Sequence, residues 1–338
     1  MLKRQPVSLD QMVDTLKAAA ESSRLRILLL LSRGDLTVSD LTHILGQSQP
    51  RVSRHLKLLL DAGLIDRYQE GSWAYFHLSD SDRAREFLHG IVTRVDDGQG
   101  AVERDMERLQ SVKRQRQERA ADYFSRNAES WDKIRSLHAP DDKLEAALKE
   151  IVGTTPIQAM LDLGTGTGRL LEIFAPIYRR GVGLDLSREM LSVARANLDR
   201  AGVQHAQVRL GDLYAPPVER EAFDLITMHQ VLHYLDEPGR AIVEAARLLR
   251  PSGRLVIVDF APHDLEFLRE EYAHLRLGFS DRQIAGWLED AGLESIDRRS
   301  FASGAEGGLT VKLWAARDPR LLIAEDETNK PSEERETA

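Results

Sequence analysis

Apolar residues in the first sixty positions recur at the three-and-four spacing of helices, and the spacing changes to alternation just beyond them. Over residues 9–20, Leu9, Met12, Val13, Leu16 and Ala20 fall on one side of a helix. Residues 22–32 contain RLRILLLLS, apolar enough to be buried, and Gly34 stops that helix. Two short helices follow, 38–45 opened by Thr37 as N-cap, and 49–62 with Ser48 as cap and Pro50 in the first turn, where its missing N–H costs nothing. Gly46 turns the chain between them. The second short helix buries Val52, Leu56, Leu59 and Leu60. Past Gly63, residues 64–68 and 73–78 predict two strands around Gln69-Glu70-Gly71-Ser72, which makes a β-hairpin wing.

Residues 82–112 predict a polar helix pair or one interrupted helix, broken near Gly98 and Gly100. Phe87, Leu88, Ile91, Val92 and Val95 form its first apolar stripe; Val102, Met106, Leu109 and Val112 form a second, which suits either a partner helix or the chain's own domain. The basic run KRQRQER, 113–119, reads as a solvated linker face, with a DNA backbone contact as the alternative. Tyr123, Phe124, Asn127, Trp131, Ile134 and His138 then open a second domain, followed by an amphipathic helix at 144–152.

The stretch 160–169, MLDLGTGTGR, climbs through a short apolar run and breaks at Gly164, Gly166 and Gly168 before a helical pattern begins. Strand, tight turn and helix start let a ligand approach main-chain N–H groups that a Cβ would shield. A second strand, 182–184, ends in Asp185, roughly 20 residues on, where an acid can accept both hydroxyls of a ribose. Further strands at 208–210 and 223–228 lead into Gly211-Asp212-Leu213 and into His229, His233 and Tyr234. Helices at 188–197, 239–249 and 281–291, a strand at 254–259 and a final strand pair at 293–300 and 309–316 complete the pattern.

These motifs resemble the class I S-adenosylmethionine-dependent methyltransferases over about 123–317. The resemblance implies that Asp162, Gly164, Thr165, Gly166 and Gly168 hold the amino-acid moiety, Asp185 the ribose, and Gly211 and Asp212 the adenine, with Leu186, Met190, Leu213 and His229 on the same site. It also implies that LLRPSGRLVIVDF, 248–260, is a helix, turn and fifth strand, and that the aromatics near 123–138 form a lid over the cleft; ordinary core packing explains those aromatics as well. In the front half, the order and spacing resemble the ArsR/SmtB winged-helix repressors, with QSQPRVSRHLKLLLDAGLI similar to their recognition helix. Gln49, Arg51, Ser53, Arg54, His55 and Lys57 are then the expected DNA contacts, because no acid occurs over 41–60. A solvated face on a small helical bundle is the alternative.

Together the resemblances imply a two-domain chain: a winged helix-turn-helix at 1–80, a helical linker and dimerisation region at 81–121, an α/β Rossmann-like methyltransferase with a seven-stranded mixed sheet at 122–317, and an acidic, disordered tail at 318–338. The length of 338 residues accommodates this. With no cysteine, disulfides, thiolate metal sites and cysteine nucleophiles are excluded, and no metal site is expected. Net charge is −8, yet residues 1–80 carry ten basic and nine acidic residues, so DNA binding would rest on local orientation and on a homodimer. No apolar run reaches the roughly 18 residues of a membrane span, and the N-terminus lacks a secretory core, so a cytoplasmic location is expected.

Methyl transfer needs alignment more than chemistry, and His233, beyond the fourth strand of the sheet, is the first candidate for a base; lining the pocket is its other possible role. Without cysteine, and without an Asn-Pro-Pro-Tyr-like tetrad, small molecules remain as acceptors. The leading expectation is a regulator of a double-stranded DNA operator that reads S-adenosylmethionine or S-adenosylhomocysteine. An active small-molecule methyltransferase controlling its own expression stands beside it, and a front domain serving dimerisation alone stands behind both.

Overall fold

The computed structural model describes residues 8–70, 72–79, 81–96, 100–128, 131, 141–302 and 308–321. Ile134, His138, Gly98 and positions 322–338 of the expected tail lie outside them.

The front half packs α1 (Leu9–Ala19), α2 (Ser22–Leu31), α3 (Val38–Leu45) and α4 (Gln49–Asp61) beside a three-stranded antiparallel sheet of β1 (Leu36–Thr37), β2 (Ile65–Glu70) and β3 (Trp73–Leu78). Thr37 caps α3 in a reciprocal box with Asp40, and Gly46 ends it in the left-handed region. Ser48 stands at the N-cap of α4 but its side chain makes no cap hydrogen bond. Ile27, Leu28, Leu41, Ile44, Val52, Leu56, Leu59 and Phe76 form the core.

The stripe expected on α1 faces outward instead. Leu9 is 79% exposed and Leu16 50%, while Thr15 and Ala19 turn inward, because their small side chains let α1 approach its neighbours closely.

Helices α5 (Asp82–Val92) and α6 (Gly100–Asn127) follow. Leu88 and Leu109 enter the front core, and Met106 and Val112 pack against it, so the second apolar stripe serves its own domain. Asp105, buried, takes the Arg26 guanidinium through both oxygens at 2.5 and 2.6 Å, which fixes α6 to α2. At 28 residues, α6 is about 42 Å long and runs without a break across the expected boundary at 121–122.

The basic run is a solvated face only in part: Arg114 and Gln115 are exposed, whereas the other cations are held by the protein. Lys113 donates to the Arg33 carbonyl (2.8 Å) and to Glu237; Arg116 binds Asp40 (2.8 Å) and Asp236 (2.6 Å); Arg119 donates to the carbonyls of Arg269 (2.7 Å) and Glu270 (2.9 Å). These cations find partners distant in sequence, which periodicity cannot reveal.

The back half is a seven-stranded mixed sheet. Its elements are α7 (Asp141–Val152), β4 (Ile157–Leu163), α8 (Arg169–Phe174), β5 (Tyr178–Asp185), α9 (Arg188–Arg200), β6 (Ala206–Leu210), β7 (Phe223–His229), α10 (Pro238–Leu248), β8 (Leu249–Phe260), α11 (Phe267–Glu271), α12 (Asp281–Asp290), β9 (Glu294–Ala302) and β10 (Thr310–Arg317). Strand order is β6-β5-β4-β7-β8-β10-β9, parallel except for β10, which runs antiparallel to both neighbours. Separate apolar clusters cover the two faces of the sheet. The chain leaves β4 in opposite directions to β5 and β7, so a crevice opens beyond their C-terminal ends. Among the described residues no helix is long and apolar enough to cross a membrane.

Candidate functional site

The crevice is a cavity of about 370 Å³, at the small end of the roughly 300–1,000 Å³ usual for ligand pockets. Its floor is the glycine loop after β4. Gly164, Gly166 and Gly168 have φ of 72°, 51° and 84°, a region that disfavours side chains. A Cβ at Gly164 would stand 2.4 Å from the Val231 side chain, so the loop can meet the segment after β7 only as glycine.

The N–H groups of Gly164 and Thr165 both donate to the Leu184 carbonyl at 2.9 Å. Asp162 lines the cavity, and its two oxygens accept from Thr165 (2.7 Å) and Thr227 (2.6 Å), which tie the loop to β7. At the end of β5, Asp185 accepts from Gly166 N–H (2.9 Å) and Ser187 N–H (2.8 Å). Burial pushes the Asp185 carboxyl up from its usual value, against the pull of these N–H donors. Leu186, Met190, Asp212, Leu213 and His229 also line the cavity. Asp212 accepts from Tyr214 N–H at 2.9 Å.

Two predicted residues act from behind the wall. Gly168 heads α8, where a Cβ would come 3.3 Å from Ala194, and Gly211 lies against Pro217 and Leu184. Neither lines the cavity.

His233 is displaced from its expected role. It is buried away from the cavity, its Nδ1 2.8 Å from Asp259, with Tyr234, Phe260 and His274 around its ring. A group sealed behind the wall cannot take a proton from a ligand in the crevice. His229 is the histidine that reaches it.

Several lining residues escaped the sequence reading. Glu118 and Ala121 come from α6 itself, beside Phe124, which was expected among the lid aromatics. Phe124 meets Tyr234 at 4.7 Å and Trp131 at 5.3 Å between ring centroids, and Trp131 stands over Gly166. Phe124 and Trp131, two of the aromatics expected near the cleft, thus line the cavity. Gln230 is a lining residue with φ of 52°, buried, and its Nε2 has no hydrogen-bond partner among the described residues. A backbone outlier of this kind has no signature in sequence.

In the front half, Gln49, Arg51, Ser53, Arg54 and Lys57 stand exposed on α4. His55 does not join them. It turns inward, 3.6 Å from Glu21, and burial lowers its pKa, with Glu21 opposing.

Residues 161–257 match the family described as a methyltransferase domain, and residues 21–67 match the arsR family of bacterial regulatory proteins. A demethylmenaquinone methyltransferase of Renibacterium salmoninarum is 33% identical over 198 residues, covering 51% of this chain and 80% of that protein. The chain belongs to the class I methyltransferases, joined to an ArsR-family helix-turn-helix. Another relative, an uncharacterized methyltransferase of Bacillus subtilis, is 30% identical over 145 residues, or 42% of this chain. Of that relative and two others the chain spans about half the length or less (55, 47 and 35%). The N-methyltransferase NodS of Bradyrhizobium japonicum, solved with S-adenosylhomocysteine, shares the fold at a TM-score of 0.50 and 20% identity, covering 60% of this chain and 99% of that one.

The methyltransferase crevice fits the nucleoside that the family uses. A glycine cradle that admits no Cβ at Gly164, an acid at the end of β5, a second acid at Asp212 and an aromatic roof line one cavity.

Proposed function

We propose that the protein is a DNA-binding transcriptional regulator whose methyltransferase domain senses S-adenosylmethionine or S-adenosylhomocysteine. One observation carries this reading: α6 is common to both halves. Leu109, near its start, is buried in the helix-turn-helix core, and Glu118, Ala121 and Phe124, near its end, line the cavity. A ligand that moves the far end of a continuous helix must move the near end too. In this reading Asp185 and Asp212 hold the sugar and base, Trp131 and Phe124 cover the ligand, and the exposed face of α4 reads the operator. A homodimer is part of the proposal, supported by Leu9, Met12 and Leu16 on one exposed face of α1.

The test is calorimetric titration of each nucleoside against the full-length protein, with gel shifts of its operator in the presence and absence of nucleoside and with no acceptor added. We expect Asp185→Ala to weaken binding roughly 10- to 100-fold, since hydrogen bonds to a charged group contribute about 1.5–3 kcal/mol. An operator response that needs a methyl acceptor would count against sensing.

A second reading, a working small-molecule methyltransferase that also regulates its own expression, is favoured by His229, which faces the same cavity as the aromatic roof. S-adenosylmethionine, when bound, supplies an activated methyl group; His229 would hold the acceptor's proton while the roof excludes water. Labelled methyl recovered in a metabolite would establish it.

A further inference from the structure

The wing does not project freely. Its inner face is held by residues 263–277 of the methyltransferase domain through two buried arginines. Arg276, 4% exposed, donates to the Tyr68 hydroxyl (2.5 Å) and the Asp236 carbonyl (2.9 Å), lies 3.5 Å from Asp35 and 3.9 Å from Glu70, and covers the Tyr75 ring at 4.6 Å. Arg269, 5% exposed, lies 3.3 Å from both Glu70 and Glu266, covers the Trp73 ring at 4.7 Å, and donates to the Tyr75 hydroxyl at 3.2 Å. Glu70 also accepts from Leu277 N–H.

At the tip, the Glu266 carboxylate accepts from the Ser72 N–H at 2.6 Å and the Ser72 hydroxyl at 3.0 Å. A backbone N–H and a hydroxyl at a hairpin tip are the groups that hold a DNA phosphate, so a carboxylate there takes the phosphate's place. The surrounding stretch, Asp264, Glu266, Glu270 and Glu271 against Arg269, is also net negative, which would repel a phosphate backbone brought to it.

The same contacts reach the cavity. Asp236 lines it, gives its carbonyl to Arg276 and its carboxylate to Arg116, and Arg116 in turn grips both oxygens of Asp40 on α3 at 2.8 Å. The end of β7 and the segment after it that closes the crevice, residues 229–237, are therefore bound through two arginines to the wing and to the first helix of the helix-turn-helix.

Building on the sensing reading, we propose that this docked wing is the DNA-incompetent state of the regulator, and that a nucleoside in the crevice, by fixing residues 229–237, holds the wing docked. The ligand acts only through its preference for the docked arrangement, and by linkage DNA lowers nucleoside affinity by the factor by which nucleoside lowers DNA affinity.

The test uses the full-length protein, S-adenosylhomocysteine, and a mixed-sequence 30-base-pair duplex at low salt, read by fluorescence anisotropy. Saturating nucleoside slows amide exchange over residues 65–78 and weakens duplex binding by roughly fivefold or more. Without nucleoside, Glu266→Ala strengthens duplex binding, and does so beyond Glu270→Ala, which removes an equal charge from the same exposed stretch but no contact to Ser72. Equal effects of the two substitutions would overturn the proposal. So would nucleoside that binds by calorimetry yet leaves wing exchange unchanged. Nucleoside that does not bind at all defeats the sensing reading instead, and the Glu266 comparison then decides the docked wing by itself.

Discussion

Single residues set the limits of the crevice. At Gly164, φ of 72° and the 2.4 Å approach to Val231 both oppose a side chain. Gly164→Ala is expected to lower the melting temperature, since such backbone strain costs of order 1–3 kcal/mol, and to reduce nucleoside affinity by displacing the loop. Adding Val231→Ala should restore part of the stability by relieving the collision while leaving the backbone strain. A second residue reports on pH. Burial, with His233 nearby, pulls the His263 pKa down to about 4, and its Nδ1 accepts from Leu265 N–H. The folded protein keeps this ring neutral until pH falls to about 4, whereas the unfolded chain takes the proton near 6.5. Its contribution to stability is complete above about pH 6.5 and is lost as pH falls from there to 4. The drop in melting temperature between pH 7 and pH 5 should therefore shrink in His263→Asn; an unchanged drop would show that the ring is not what titrates.

At the scale of elements, α6 joins the front core to the wall of the crevice. Leu109→Ala removes a side chain 1% exposed from the front core and is expected to cost about 2–5 kcal/mol, seen as an earlier denaturant midpoint. The strands and the glycine loop were legible because their signals are local: short apolar runs ending in Asp162 and Asp185, and glycines where φ must be positive. The helix-turn-helix was legible for the same reason, through Thr37, Gly46 and Pro50. What escaped needed tertiary partners. Lys113, Arg116 and Arg119 look like any solvated run until Glu237, Asp236 and the Arg269 carbonyl come beside them. Residues 261–280 carry no strong periodicity, so α11 and the arginines that hold the wing had no signature. The α1 stripe was visible in the sequence, but sequence alone does not say that Thr15 and Ala19 are the inward face. His55 and His233 were misplaced because a histidine's side of a helix or loop depends on neighbours such as Glu21 and Asp259.

Over the whole molecule, the buried guanidinium groups of Arg116, Arg269 and Arg276 tie the two halves together, beside the aromatic contacts of Tyr123 and Phe124. Breaking a buried charge cluster by removing one partner leaves uncompensated carboxylates and is strongly destabilising, by about 3–5 kcal/mol. Calorimetry of the full chain should show one unfolding transition, and the double variant Arg116→Met with Arg276→Met should separate it into two. A single unshifted transition in the variant would mean that other contacts hold the halves together.

The unbroken α6 also imposes a phase. Each residue of a helix turns its successors by about 100° and advances them about 1.5 Å. One alanine inserted after Gln110 would rotate Lys113, Arg116 and Arg119 away from their carboxylate and carbonyl partners. Seven inserted residues would bring the azimuth back to within about 20° but push the crevice about 10.5 Å farther off. No insertion preserves both angle and distance, so this connector, unlike an ordinary tether between domains, has a fixed length.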